Sequence, residues 1–236
     1  MEMKELSIYV GYDPKESVSW HVLVQSLMET SSVPLSIKPV YLKNYKNCFT
    51  RAQDTKQSND FSFSRFLVPY LMNYQGYALF LDCDMLLKSD VKVLFDLAMS
   101  NPDKAVHVVK HDYTPANGVK YLGQRQYSYP RKNWSSVVLW NCSHPANKSV
   151  DLDFVNTGTG AELHRFTWLN DDEIGELEVS WNWLVGEYDI GTLDRPINNI
   201  HWTVGGPYFN EYRHVDFADD WYDMKNRMIR CDQLED

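Results

Sequence analysis

Apolar and polar positions fall into blocks along the first half of the chain, and the spacing inside each block predicts its element. Leu6 to Tyr12 is a short apolar run that closes on Gly11, Asp13 and Pro14, which predicts a first strand entering a turn. From Ser17 the apolar residues Trp20, Leu23, Val24, Leu27 and Met28 recur at three- and four-residue steps, the period of one helix face, and Glu16 and Ser17 suit a helix start. Leu35 to Leu42 reads as a second strand. Lys43 to Asp60 is polar and aperiodic, a long loop of the kind that often carries function in compact domains. Phe63, Phe66, Leu67, Tyr70 and Leu71 give another helical stripe, with Pro69 as a local irregularity. Tyr77 to Leu81 is continuously apolar, as expected of a strand buried on both faces of a parallel sheet. A helix over Val91 to Met99 and a strand over Ala105 to Val109 complete the alternation of a doubly wound α/β fold.

The second half is less regular. It predicts a strand near Ser136 to Trp140, a helix near Asp151 to Arg165, a region rich in Gly, Trp and Asn from Trp168 to Phe209, and an acidic helical tail from Asp216 to Arg230. With 236 residues, 44% hydrophobic and 23% charged, the chain suits one folded domain over 1–236. Its net charge of -9, with Lys and Arg scattered, excludes the basic footprint of a nucleic-acid binder. No segment is long and apolar enough for a membrane span, and the N-terminus lacks a signal-peptide core. The cysteines Cys48, Cys83, Cys142 and Cys231 form no CxxC or disulfide framework, so reduced thiols in a cytoplasm are expected. The sequons at Asn133, Asn141 and Asn147 carry no weight without a secretory signal. The 8 Trp and 15 Tyr, several beside polar groups, suit a sugar face or a core edge equally.

The candidate chemistry lies just after the buried strand. Asp82 and Asp84 flank Cys83 at its carboxyl end, where open α/β sheets bind ligands. Two such close carboxylates call for a cation. Hard oxygen donors suit Mg2+ or Mn2+, which commonly take one or two carboxylates and leave the remaining positions to substrate phosphates. A nucleotide diphosphate carries such phosphates, and an acidic chain handling one needs local positive charge, from an Arg or Lys or from a bound cation.

GYDPKESVSWHVLVQSL, FSFSRFLVPYLMNYQGYALFLDCDMLL and HWTVGGPYF, in that order, resemble the landmarks of GT-A glycosyltransferases, with the closest look to family-eight-like bacterial and viral members. The resemblance covers Ile8 to Phe209. It implies a single Rossmann-like domain with a mostly parallel sheet, a nucleotide-sugar donor (a UDP-sugar), Mn2+ (or Mg2+), a glycan or other hydroxyl acceptor, and transfer with retention. It assigns Gly11, Tyr12 and Asp13 to the donor nucleoside, Arg65 to the donor phosphates or sugar and to catalysis, and Cys83 to the donor-contact set. It makes His201 the third metal ligand beside Asp82 and Asp84, and places Gly205 and Gly206 against the diphosphate in a loop that lacks the family's phosphate-contacting Lys. Asp172 is the implied catalytic acid of the stretch Asp171 to Glu173, and Glu173, Trp181 and Asn182 are implied acceptor contacts. Two other readings are a haloacid-dehalogenase-type phosphatase with the first Asp as nucleophile, and a sugar-binding module without turnover. Against the phosphatase, Met85 and Leu86 follow the motif, and a full βαβα unit precedes it.

Overall fold

The structure is a computed structural model, and it describes residues 5–52, 57, 59–112, 130–192 and 195–229. Cys231, Arg230 and part of the predicted 43–60 loop lie outside them.

The first strand, β1 (Leu6–Gly11), runs into a one-turn 3-10 helix (Pro14–Glu16) and then α1 (Ser17–Thr30). Asp13 caps that turn: its side chain accepts from Lys15 N, and Pro14 supplies the fixed φ that a first turn tolerates. β2 (Leu35–Val40) follows, then 3-10 turns and the short α2 (Val68–Leu71), with Pro69 at its start, where no helical hydrogen bond is lost. Asn73 and Tyr74, both at positive φ, end it and aim the chain into β3 (Tyr77–Leu81). Next come β4 (Met85–Leu87), α3 (Lys92–Ser100), β5 (Val106–Val109) and β6 (Val137–Asn141). The chain finishes with α4 (Leu152–Thr157), α5 (Gly160–His164), β7 (Ile174–Leu177), β8 (Trp183–Leu184), β9 (Asn199–His201) and α6 (Ala218–Ile229).

The large sheet has the order β2-β1-β3-β6-β5-β7. β6 pairs antiparallel with both β3 and β5, while every other pairing in this sheet is parallel. β1 and β3 are neighbours whose onward connections leave toward opposite edges of the sheet. A crevice therefore opens at their carboxyl ends. The main core fills both faces of this sheet, with Val10, Leu79, Phe80, Val138 and Trp140 inside it.

A second sheet, β4-β9-β8, was not foreseen from the sequence. Its two- and three-residue strands are too short to show alternation. It covers its own cluster of Leu86, Trp183, Ile200, Trp202, Trp221 and Met224. α1 packs between the two sheets, giving Leu23 and Leu27 to the first core and Val22 to the second. The helix predicted over Asp151 to Arg165 is divided. A Cβ at Gly158 would lie 2.7 Å from Phe154 O, and Thr159 with Glu162 forms a capping box that starts α5 afresh.

Candidate active site

The two acids leave β3 without losing its register, because Asp82 N–H still donates to Ser136 O at 3.0 Å. α1 then grips the segment from below. Ser19 Oγ donates to Cys83 O at 2.8 Å, and Leu87 N–H donates to Ser26 Oγ at 3.1 Å. Ser19 and Ser26 stand two turns apart on one helix face, so a single rigid element holds both ends of the acidic segment.

β9 completes the site. It pairs antiparallel with β4, setting Met85 opposite His201, and Trp202 N–H donates to Asp84 O at 3.0 Å. The candidate donor atoms of Asp82, Asp84 and His201 consequently lie within 4.8 Å of one another. Ligands about 2.1 Å from one ion can be up to about 4.2 Å apart, so small side-chain rotations suffice to close this trio on a divalent cation. The two carboxylates match the chemistry of Mn2+ or Mg2+, and the imidazole is compatible with Mn2+. His201 Nε2 already lies 3.3 Å from Asp84 Oδ1, and its Nδ1 lies 2.7 Å from Asn182 Oδ1.

Arg65 orients Asp82. Its Nη1 is 2.7 Å from Asp82 Oδ1 and donates to Ser135 O at 2.8 Å, while the guanidinium carbon sits 5.3 and 5.2 Å from the ring centroids of Phe61 and Phe80. On the same side, burial first and then the charges of Glu16, Asp84, Asp82 and Asp13 push the Cys83 thiol well above its usual range. The thiol therefore stays protonated, and four carboxylates surround it. Such an excess of negative charge is what a bound cation offsets. Tyr208 Oη donates to Glu16 Oε2 at 2.5 Å, and burial together with Glu16 and Asp84 raises its pKa well above the ordinary value. That bond ties the late loop to the first turn.

No family model matches the sequence. Protein CDI of Arabidopsis thaliana is 45% identical over 225 residues, covering 93% of this chain and 86% of that protein. The chain belongs to the family of Protein CDI. The CDI-family chain also superposes on solved structures at 10–17% identity. The glycosyltransferase GlyE of Streptococcus pneumoniae TIGR4 gives a TM-score of 0.62 at 14% identity, over 94% of this chain and 60% of that one. The galactosyltransferase LgtC, in complex with donor and acceptor sugar analogues, gives 0.60 at 11% identity over 96% and 97%. Mouse xyloside xylosyltransferase 1 gives 0.55 at 10% identity over 84% and 98%. The fold of this CDI-family member is thus GT-A. Its chain spans 60% of the GlyE chain's length.

Several of the expected residues also make structural contacts within the fold. Asp13 is 1% exposed, and its two oxygens accept from Lys15 N and Asp60 N, so it braces the loop over β1. Gly11 permits the close approach of Phe61, and Gly205 and Gly206 permit that of Tyr212 and Tyr208. Their loop is already docked, with Tyr222 Oη donating to Pro207 O at 2.9 Å. Of the expected donor contacts, Tyr12 alone is half-buried rather than buried, its ring centroid 4.7 Å from that of Tyr41.

Asp172 and Glu173 are not brought to the site. They precede β7, whose first residue pairs with Val106 and whose last pairs with Val109, so a full strand separates them from the crevice end. Asp172 is exposed there, Asp171 pairs with Arg131, and Glu173 caps Asn170. Trp181 and Asn182 do reach the crevice end but face inward. Trp181 belongs to the main core, and Asn182 is wholly buried, so neither presents a surface to an acceptor. The sequence reading missed Glu16, Ser19, Ser26, Tyr208 and His111. Ser19 and Ser26 were legible in principle, as small polar residues at heptad spacing on an otherwise apolar helix face.

Proposed function

We propose that this chain is a metal-dependent glycosyltransferase that moves a hexosyl group from a nucleotide-diphosphate sugar, a UDP-sugar, to a hydroxyl of a glycan or other acceptor with retention. The observation that carries this reading is the convergence of Asp82, Asp84 and His201 at the carboxyl edge of β1 and β3 in a GT-A fold. Asp82, Asp84 and His201 would hold Mn2+ or Mg2+, which when bound neutralises charge on the departing diphosphate. Arg65 keeps the Asp82 carboxylate aimed into the crevice. Ser19 and Ser26 stop the segment from sagging away. Tyr12, at the end of β1, and Tyr41, at the end of β2, offer rings for the donor base, and the docked loop of Gly205 and Gly206 limits access of water to the leaving group. The free thiols of Cys48, Cys83 and Cys142 agree with a cytoplasmic setting.

Incubation with a panel of nucleotide sugars, with release of nucleotide diphosphate as the readout, tests the reading. Release is expected with Mn2+ and absent in excess chelator, and Asp84→Asn is expected to lower it by at least about a hundredfold while the protein stays folded. Full release in chelator overturns the metal role. Tight donor binding without release from any donor, with or without acceptor sugars, would mark a binding module instead.

A further inference from the structure

The nitrogen of His201 that faces away from Asp84 meets a single side-chain amide, and that amide has its orientation fixed from outside. Asn182 Nδ2 lies 3.3 Å from the backbone oxygen of Asn133 and 2.9 Å from His111 Nε2, while Asn182 Oδ1 lies 2.7 Å from His201 Nδ1. A backbone carbonyl can only accept, so the amide group facing Asn133 must be the NH2. Turning the amide over would set two acceptors against each other. The oxygen therefore faces His201 Nδ1, which must carry a proton, so that whenever the ring holds one proton its lone pair lies on Nε2, toward Asp84.

The same logic extends one residue further. The second amide hydrogen points at His111 Nε2, which has to accept it, so the His111 proton sits on Nδ1, 2.6 Å from Tyr188 Oη. Burial, with His201 as the next cause, lowers the His111 pKa to about 3, so the ring stays neutral and able to accept at ordinary pH. Asn182, His201 and His111 are 0%, 1% and 7% exposed, so water does not compete for these bonds.

We infer that Asn182, His111 and Tyr188, anchored on Asn133 O, form a positioning chain that locks His201 in its Nδ1–H tautomer and so presents Nε2 as a ready-made metal ligand. A histidine free in water favours the opposite tautomer, with the proton on Nε2, which would block ligation. None of the three touches substrate or metal; they act through His201. The inference rests on the metal-site reading above. Partners that orient a ligating histidine typically change metal affinity by about 10–100-fold when removed.

Two measurements test it. The first needs no metal: a long-range 1H–15N correlation spectrum of the metal-free protein reads the tautomer of each ring. Recorded at alkaline pH, well above the ordinary histidine value of about 6.5, where a ring holds one proton and only the tautomer is in question, His201 and His111 are both expected to show a protonated Nδ1 and a pyridine-type Nε2. A protonated Nε2 with a bare Nδ1 on His201 overturns the inference. The second is a titration with Mn2+, reading free ion by paramagnetic resonance, on wild type, Asn182→Ala and Tyr188→Phe, with circular dichroism as the check on folding. Asn182→Ala is expected to bind Mn2+ about 10–100-fold more weakly, and its His201 to populate the Nε2–H form. Tyr188→Phe removes one oxygen at the half-buried end of the chain, keeps the fold, and is expected to weaken binding several-fold. Unchanged affinity in the folded variants overturns the inference. Wild-type protein that shows the Nδ1–H form yet binds no Mn2+ sinks the proposed metal site, and with it the ligand-presenting role, while the tautomer lock stands.

Discussion

A methyl group on Gly11 would lie 2.4 Å from the ring of Phe61, which is itself buried beneath the loop that Asp13 braces. Neither partner can retreat cheaply, since the Phe61 ring also lies under the Arg65 guanidinium and beside Phe80. Gly11→Ala is therefore expected to destabilise the protein by about 1–3 kcal/mol, the usual cost of overpacking. Chemical denaturation reads that loss, and Phe61→Leu in the same chain should recover part of it. A fully stable Gly11→Ala would mean that the ring moves aside. The residue scale also exposes what the sequence could not convey. Glycine at the end of a first strand suits a nucleotide site and a ring contact equally, and the contact with Phe61, 50 residues away in sequence, is visible only in the fold. Asn182 is the same case. An amide after tryptophan gives no sign in the sequence of its bonds to Asn133 O, His111 and His201.

Among the elements, β5 and β7 meet with His107 opposite Gly175, and the imidazole occupies the space a Cβ at Gly175 would need, 2.3 Å from its Cδ2. Burial is the first cause of the lowering of the His107 pKa to about 4, with Lys104 next. The folded value lies below the unfolded one, so the unfolded chain binds the extra proton between pH 6.5 and about 4. Stability from this residue is complete above pH 6.5 and falls as the pH drops through that window, by at most on the order of 3 kcal/mol. Melting curves from pH 7 down to 4.5 should show His107→Gln losing less stability on acidification than wild type; parallel curves would refute the assignment. At this scale much was legible. Tyr77 to Leu81 carries its bounds in plain apolar sequence, and the helix stripe from Ser17 is found where its period puts it. The break at Gly158 was hidden because Phe154, Val155 and Leu163 keep a helical spacing across it. β9 was hidden because Asn199, Ile200 and His201 have no period at all; they are a strand because β4 offers them a ladder. His201 could thus be named from its loop, while its geometry could not.

The whole molecule carries a net charge of -9, and part of that excess is concentrated where Asp13, Glu16, Asp82 and Asp84 surround Cys83. Those acids repel one another in the metal-free state, so a bound divalent ion should stabilise the entire fold. At a concentration about 100 times its Kd, a ligand that binds only the folded state adds about 2.7 kcal/mol, which for a domain of this size raises Tm by roughly 5–10 °C. Calorimetry with and without Mn2+ is expected to show that rise in wild type and to lose most of it in Asp84→Asn; no rise in wild type would count against the site. The pairing of Met85 with His201 adds a consequence in time. A ribosome adding about 5–20 residues per second releases the aspartates several seconds before the strand that bears the histidine, and α6 only after that. A nascent chain therefore passes through an interval in which the two aspartates are present and the third proposed ligand, His201, is not. On the proposed function, a growing polypeptide is expected neither to hold the cation nor to turn over a sugar donor until β9 has been made.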